Sequence, residues 1–118
     1  NRGEMSDAIV ESVDVFPTLC ELTDLPTPNF TKGTSLIPIL KDAKASGHEA
    51  VAIKAHTTTI RTGQYRLVQH KSGEVELYDH NTPEGEVLNI ADYHPETVRR
   101  LKKLIIGKMG IKAFVFAD

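Results

Sequence analysis

His48, His56, His70, His80 and His94 are the residues best suited to bind a metal or move a proton, and they stand on different predicted elements. No two have the spacing that puts both rings on one helix face, while a metal needs its donors gathered within roughly 2 to 2.6 Å of one ion. Structural or solvated roles are expected for all five, and no metal site is expected. Cys20 falls on the apolar face of a predicted helix, where a free cysteine is usually an inert core residue. Ser12, Ser35, Ser46 and Ser72 sit at caps or turns, and none stands in a glycine-flanked nucleophile elbow. Gly33 before Thr34-Ser35 reads as a helix start rather than a phosphate loop. The acidic residues suggest no general acid and base pair, since Asp14 reads as a helix cap. No catalytic residue is therefore expected in the chain.

The polar set of most interest is Arg61, Arg66 and Asp79. Two-residue turns at Gly63-Gln64 and Ser72-Gly73 would put all three on one sheet face, Arg66 across from both Arg61 and Asp79. An arginine pair of this kind can bind an anion. The plainer reading is a cross-strand ion network that fixes register, with Asp79 relieving the repulsion between the arginines.

The elements that must position these residues follow from periodicity. Val15, Phe16, Leu19, Cys20 and Leu22 mark one face of a helix that Asp14 would cap, that tolerates Pro17 in its first turn and that ends near Asp24. LIPILKD reads as a second short helix capped by Thr34 or Ser35, burying Leu36, Ile37 and Leu40. Glu49 to His56 reads as a strand that could join at an edge, followed by a meander over Thr57 to Thr62, Tyr65 to Lys71 and Glu74 to His80. The expected register gives one face Ile60, Leu67 and Tyr78 and the other Val68, Val75 and Leu77, so both sides are partly apolar. PETVRRLKKLIIGK reads as an amphipathic helix burying Val98, Leu101, Leu104 and Ile105, ended by Gly107 or Gly110, and IKAFVFAD as one more strand. The predicted fold class is α+β: a small antiparallel sheet of about four strands packed against a C-terminal helix, with short N-terminal helices. One helix covers one sheet face, so an exposed apolar face is expected to seek a larger domain or a second copy of the chain.

Composition agrees with a folded protein. The chain has 118 residues, 40% apolar and 25% charged, and is read as a single domain over residues 1–118. A net charge of −2 with dispersed basic residues argues against nucleic acid. No apolar run approaches the roughly 20 residues that cross a bilayer, so no membrane partner is expected. One cysteine permits no internal disulfide and says nothing of compartment. Asn29-Phe30-Thr31 fits a glycosylation acceptor, a pattern common by chance. Residue 1 is not methionine and Asp7 to Val15 reads like the middle of a protein, so an excised part of a longer chain is expected.

Four pieces occur in order: Val13-Asp14 with Pro17-Thr18-Leu19, Gly33-Thr34-Ser35-Leu36, Ile60-Arg61-Thr62 with Tyr65-Arg66, and Glu76-Leu77-Tyr78-Asp79 with Asn89. Together they resemble the C-terminal part of the sulfatase family, in its iduronate-sulfatase-like branch within the alkaline phosphatase superfamily. The resemblance implies a subdomain that packs on a catalytic domain and helps shape the substrate pocket of a sulfuric ester hydrolase. It implies calcium and a formylglycine, made from a C/S-x-P-x-R motif, in the full-length parent and no cofactor in this chain. Cys20 is followed by Glu-Leu-Thr and cannot be that nucleophile. A periplasmic, secreted or lysosomal setting is implied as well. Relatives usually carry a longer insertion before Ile60, where only His56 to Thr59 intervene here, so the resemblance makes His56, Thr57 and Arg61 the substrate-pocket candidates. The alternatives are a non-catalytic interaction or dimerisation module and part of a related phosphodiesterase or phosphonate hydrolase.

Overall fold

A computed structural model describes residues 3–110. The strand expected over IKAFVFAD lies outside the described residues. The chain divides into two compact units, Asn1–Glu49 and Ala50–Asp118, where the sequence reads as one domain.

In the first unit a short 3-10 helix, Ser12–Asp14, leads into α1, Val15–Leu22, and a loop leads on to α2, Ile37–Lys41. Pro17 is accommodated in the first turn of α1, where its missing N–H would have no partner. The helix stops at Thr23, whose N–H returns to Leu19 and Cys20, and Asp24 turns the chain with a φ of 55°. α1 buries Pro17, Thr18 and Cys20, while Val15, Phe16, Leu19 and Leu22 are all about half exposed. Of the expected apolar face, Cys20 is the member that this unit buries. In α2, Ile37 is buried but Leu40 is exposed, and Ser35 Oγ, as expected of a cap, accepts the Ile37 N–H at 3.3 Å. Gly33 is required by close approach: a Cβ there would sit 2.1 Å from the Val13 carbonyl oxygen.

The second unit is a four-stranded antiparallel sheet in the order β1-β2-β3-β4, covered by α3. Its elements are β1 Ala50–Lys54, β2 Thr57–Arg61, β3 Tyr65–His70, β4 Val75–Asp79 and α3 Pro95–Met109, with a 3-10 helix at Ala91–Tyr93. The Gly63-Gln64 turn sets Arg61 opposite Arg66 and Ile60 opposite Leu67, as expected. The next hairpin differs. Its loop is Lys71-Ser72-Gly73, with Gly73 at a φ of 96° and His70 N–H donating to the Glu74 carbonyl. The third loop residue takes the left-handed conformation that glycine adopts readily. Leu67 therefore faces Leu77 and Tyr65 faces Asp79, one position away from the expected pairing.

A one-residue slip moves every side chain of the strand to the other face. Leu77 accordingly joins Ile60, Leu67, Leu101 and Ile105 in a core whose five members are all 0% exposed. Val51, Tyr65, Val75, Val98 and Leu104 pack against it. The second sheet face is more polar than the partly apolar one that the expected register gave: alternation places there Thr57, Thr59, Arg61, Arg66, His70, Glu76 and Tyr78, with Val68. Asn89 finishes the exposed side of β4. Its side-chain oxygen accepts N–H bonds from Leu77 and Ala91, both at 3.0 Å, and its amide nitrogen donates to the Val75 carbonyl at 3.2 Å. The helix expected over PETVRRLKKLIIGK is α3, and Gly110, at a φ of 77°, follows its last residue.

Candidate functional site

The polar sheet face holds two linked clusters. In one, Arg61 and Arg66 are cross-strand partners, and the Arg66 Nε lies 3.0 Å from a Glu86 carboxylate oxygen. That contact is an ion pair without hydrogen-bond alignment, since the buried Nε has no hydrogen-bond acceptor. The same Glu86 oxygen lies 2.8 Å from Nε2 of His80. The Arg61 guanidinium donates to the carbonyls of Thr62, Gly63 and Tyr65, which wraps it around the β2–β3 turn. Burial and the neighbouring Arg66 charge pull the Arg61 pKa down, and Glu86 partly offsets them.

In the other cluster, Glu76 accepts from the Tyr78 hydroxyl and contacts Nε2 of His70. These two partners hold the Glu76 carboxyl below its usual range, Tyr78 first and His70 second. The same bond to Glu76, with burial behind it, pushes Tyr78 up to about 12. Thr57 Oγ1 stands 3.5 Å from the other ring nitrogen of His70.

Of the expected site residues, Thr57, Arg61 and Arg66 share this face. Asp79 does not: the shifted register turns it to the opposite face, where it accepts from the Gln64 side chain at 2.9 Å and from Asn81 N–H at 2.8 Å. Glu86, from the loop after β4, takes the role expected of Asp79. His56 is exposed in the β1–β2 turn beside Ala55, which has a φ of 48°. Glu76, Tyr78 and Glu86 are not among the site residues expected from the sequence. With the observed register, the period-two spacing of Glu76 and Tyr78 opposite His70 would have marked the first two.

A separate cluster in the first unit gathers Glu11, Asp14 and His48. Asp14 is 0% exposed, and its side chain caps no α1 donor. One carboxylate oxygen accepts the Glu11 N–H at 2.7 Å and meets His48 Nε2 at 2.7 Å, and the other accepts the Thr34 N–H at 2.8 Å. His48 Nδ1 lies 3.0 Å from the Glu49 carbonyl. Both ring nitrogens thus face oxygen acceptors, a pattern that only the doubly protonated ring fills with two donors. Burial alone would push the Asp14 carboxyl up, but the Glu11 and Thr34 N–H groups and His48 outweigh it and hold the pKa low.

The donor atoms of this cluster lie close enough to suggest a metal. However, 2.7 Å between Nε2 and the carboxylate is a direct hydrogen bond. Two ligands of a tetrahedral ion at about 2.0 Å would stand over 3 Å apart. The cluster is a hydrogen-bonded latch, and two carboxylates with an imidazole nitrogen do not fit calcium, which takes roughly six to eight oxygen ligands. Nor does Cys20, buried and lacking the x-P-x-R sequence, fit a formylglycine.

No protein-family model matches the chain. Among curated proteins, arylsulfatase K of Gallus gallus is 27% identical over 121 residues, covering 88% of this chain and 23% of the relative. An uncharacterised sulfatase of Schizosaccharomyces pombe is 31% identical over 117 residues, covering 82% of this chain and 20% of its own length. The chain is related to the C-terminal region of sulfatases. It spans about a fifth to a quarter of these sulfatases. Two solved structures share the fold. A protein in complex with its substrate D-glucosamine-2-N,6-O-disulfate superposes with a TM-score of 0.76 at 22% identity, covering 98% of this chain and 26% of that one. A 2-O glycosaminoglycan sulfatase gives 0.69 at 22% identity, covering 88% and 26%. Among the described residues no helix is long and apolar enough to cross a membrane.

Proposed function

We propose that the chain is the C-terminal part of a sulfuric ester hydrolase, packing on the catalytic domain and helping to shape its substrate pocket without catalysis of its own. The observation that carries this reading is sequence kinship to sulfatases over 88% of the chain. The polar sheet face supports the pocket role. It holds Thr57 and two neighbouring arginines, and guanidinium groups suit the oxygens of a sulfate or carboxylate. The ordered pieces from Val13-Asp14 to Asn89 favour the iduronate-sulfatase-like branch within the family. Calcium and formylglycine belong, on this reading, to the longer polypeptide, in a periplasmic, secreted or lysosomal setting.

The test is the longer polypeptide that carries this segment. It should contain an upstream C/S-x-P-x-R motif and hydrolyse sulfate esters. Arg66→Ala should raise KM several-fold with a smaller change in kcat, as expected for lost substrate binding that is equal in ground and transition states. Hydrolysis of phosphate esters alone would assign the segment to a related phosphodiesterase or phosphonate hydrolase instead.

A further inference from the structure

Glu86 stands on the polar sheet face where the acidic group of a ligand would also fit. One carboxylate oxygen lies 3.0 Å from Arg66 Nε and 2.8 Å from His80 Nε2. Its charge reaches Arg61 too, although burial and Arg66 act more strongly there. The Arg66 Nε–H is nevertheless buried without an aligned acceptor. A guanidinium binds an oxyanion best side-on, through two parallel N–H bonds. Glu86 is tethered short of that alignment with Nε. Its oxygen is shared with His80, and two tight turns fix its backbone, Gly85 N–H to the Thr82 carbonyl and Val87 N–H to the Glu84 carbonyl. The pair is also weakly held. The Arg66 and Glu86 side chains are 39% and 40% exposed, so water screens their attraction. Val87, next in the chain, is 89% exposed, so little packing on that side resists a shift of the loop.

We infer that Glu86 is a resident carboxylate that competes for the arginine pair. An incoming oxyanion, sulfate or carboxylate, displaces it from Arg66 and takes the side-on contact that Glu86 cannot reach. His80 keeps hold of the displaced carboxylate through its Nε2–H, since an ionised carboxylate can only accept. The inference rests on the pocket role given above to Arg61 and Arg66, and it makes Glu86 a specificity-determining residue. A neutral ligand gains too little to separate the ion pair, whereas an oxyanion exchanges one ionic contact for a better aligned one. The cost to the anion is an affinity lowered by the fraction of molecules in which Glu86 occupies the site.

The experiment titrates sodium sulfate and sodium acetate into the 118-residue chain, at an ionic strength held constant with chloride, and follows the Arg66 Nε–H in nitrogen–proton correlation spectra. Wild type is compared with Glu86→Gln, which keeps the shape, and Glu86→Ala, which opens space. Both variants should bind an oxyanion several-fold more tightly than wild type. Sulfate ahead of acetate marks a sulfate group as the displacing anion, and acetate ahead marks a carboxylate. Variants that bind no tighter than wild type, whether or not they unfold earlier in urea, would overturn the inference and leave a purely structural ion pair. So would a site that chloride fills equally well. In the longer polypeptide Glu86→Gln should lower KM several-fold, opposite in sign to Arg66→Ala. A raised KM would make Glu86 a support for Arg66 and sink the competition. The two readings fail separately. Tighter anion binding in the variants alongside hydrolysis of phosphate esters alone changes the reaction and keeps the role of Glu86. Sulfate-ester hydrolysis that Glu86→Gln leaves untouched keeps the reaction and removes that role.

Discussion

Asp14 has no solvent exposure and serves donors that are close in space but far apart in sequence, Glu11 and Thr34 N–H and the His48 ring. Such a carboxylate is expensive to bury and stable only because its acceptor capacity is filled. Asp14→Asn keeps the shape but removes the charge opposite His48 and turns one acceptor into a donor. A loss of about 3 kcal/mol is expected, read as faster hydrogen exchange at the Thr34 amide. The pH dependence has a definite sign. The folded pKa lies below the unfolded value of about 3.9, so the stabilisation is fully present above that pH and disappears as pH falls through the folded value. The gap between wild type and Asp14→Asn should therefore narrow only under acid conditions. A gap that is constant down to the acid limit would show that the charge is not what matters. None of this was legible in the sequence. An aspartate before a helix reads as its cap, and partners 20 and 34 positions away leave no local signal.

At the scale of elements, β4 depends on Asn89. Its side chain supplies the ladder bonds that a fifth strand would make, accepting from Leu77 N–H and donating to the Val75 carbonyl, and also accepts the Ala91 N–H. Asn89→Ala leaves those groups without their partner and should cost about 1–3 kcal/mol, measured by urea unfolding. Leu77→Ala, which empties a core position, should cost about 2–5 kcal/mol. If Asn89→Ala unfolds at the wild-type urea concentration, the amide is ornamental. The existence of all four strands and α3 was readable from alternation and from the 3.6 period. So was the β2–β3 register, because Gly63-Gln64 is a two-residue turn. The β3–β4 register was not, because Ser72-Gly73 looks the same whether the loop has two residues or three. The positive φ of Gly73 decides between them, and it transfers Leu77 to the core and Asp79 away from the arginines. For α1, the period correctly located the apolar stripe but not its burial. A sequence pattern says which face seeks contact, and the partner need not be in the same chain.

Across the whole molecule, two modes of stabilisation divide at Ala50. The second unit is held by apolar closure, and the first by hydrogen bonds around a buried charge. The strand order β1-β2-β3-β4 has a kinetic consequence, since every strand pairs with its neighbour in sequence. Short turns are the cheapest loops to close, and local pairings form early. The first unit must instead bring Asp14 to Thr34 and to His48, closures of 20 and 34 residues. Pulse-labelled hydrogen exchange during refolding should find the β2 to β4 amides protected before those of Thr34 and His48, and the reverse order would contradict this. A ribosome delivers residues 3–49 first, yet the meander that follows them has no reason to wait. The part of the chain made last is the part that can be finished first.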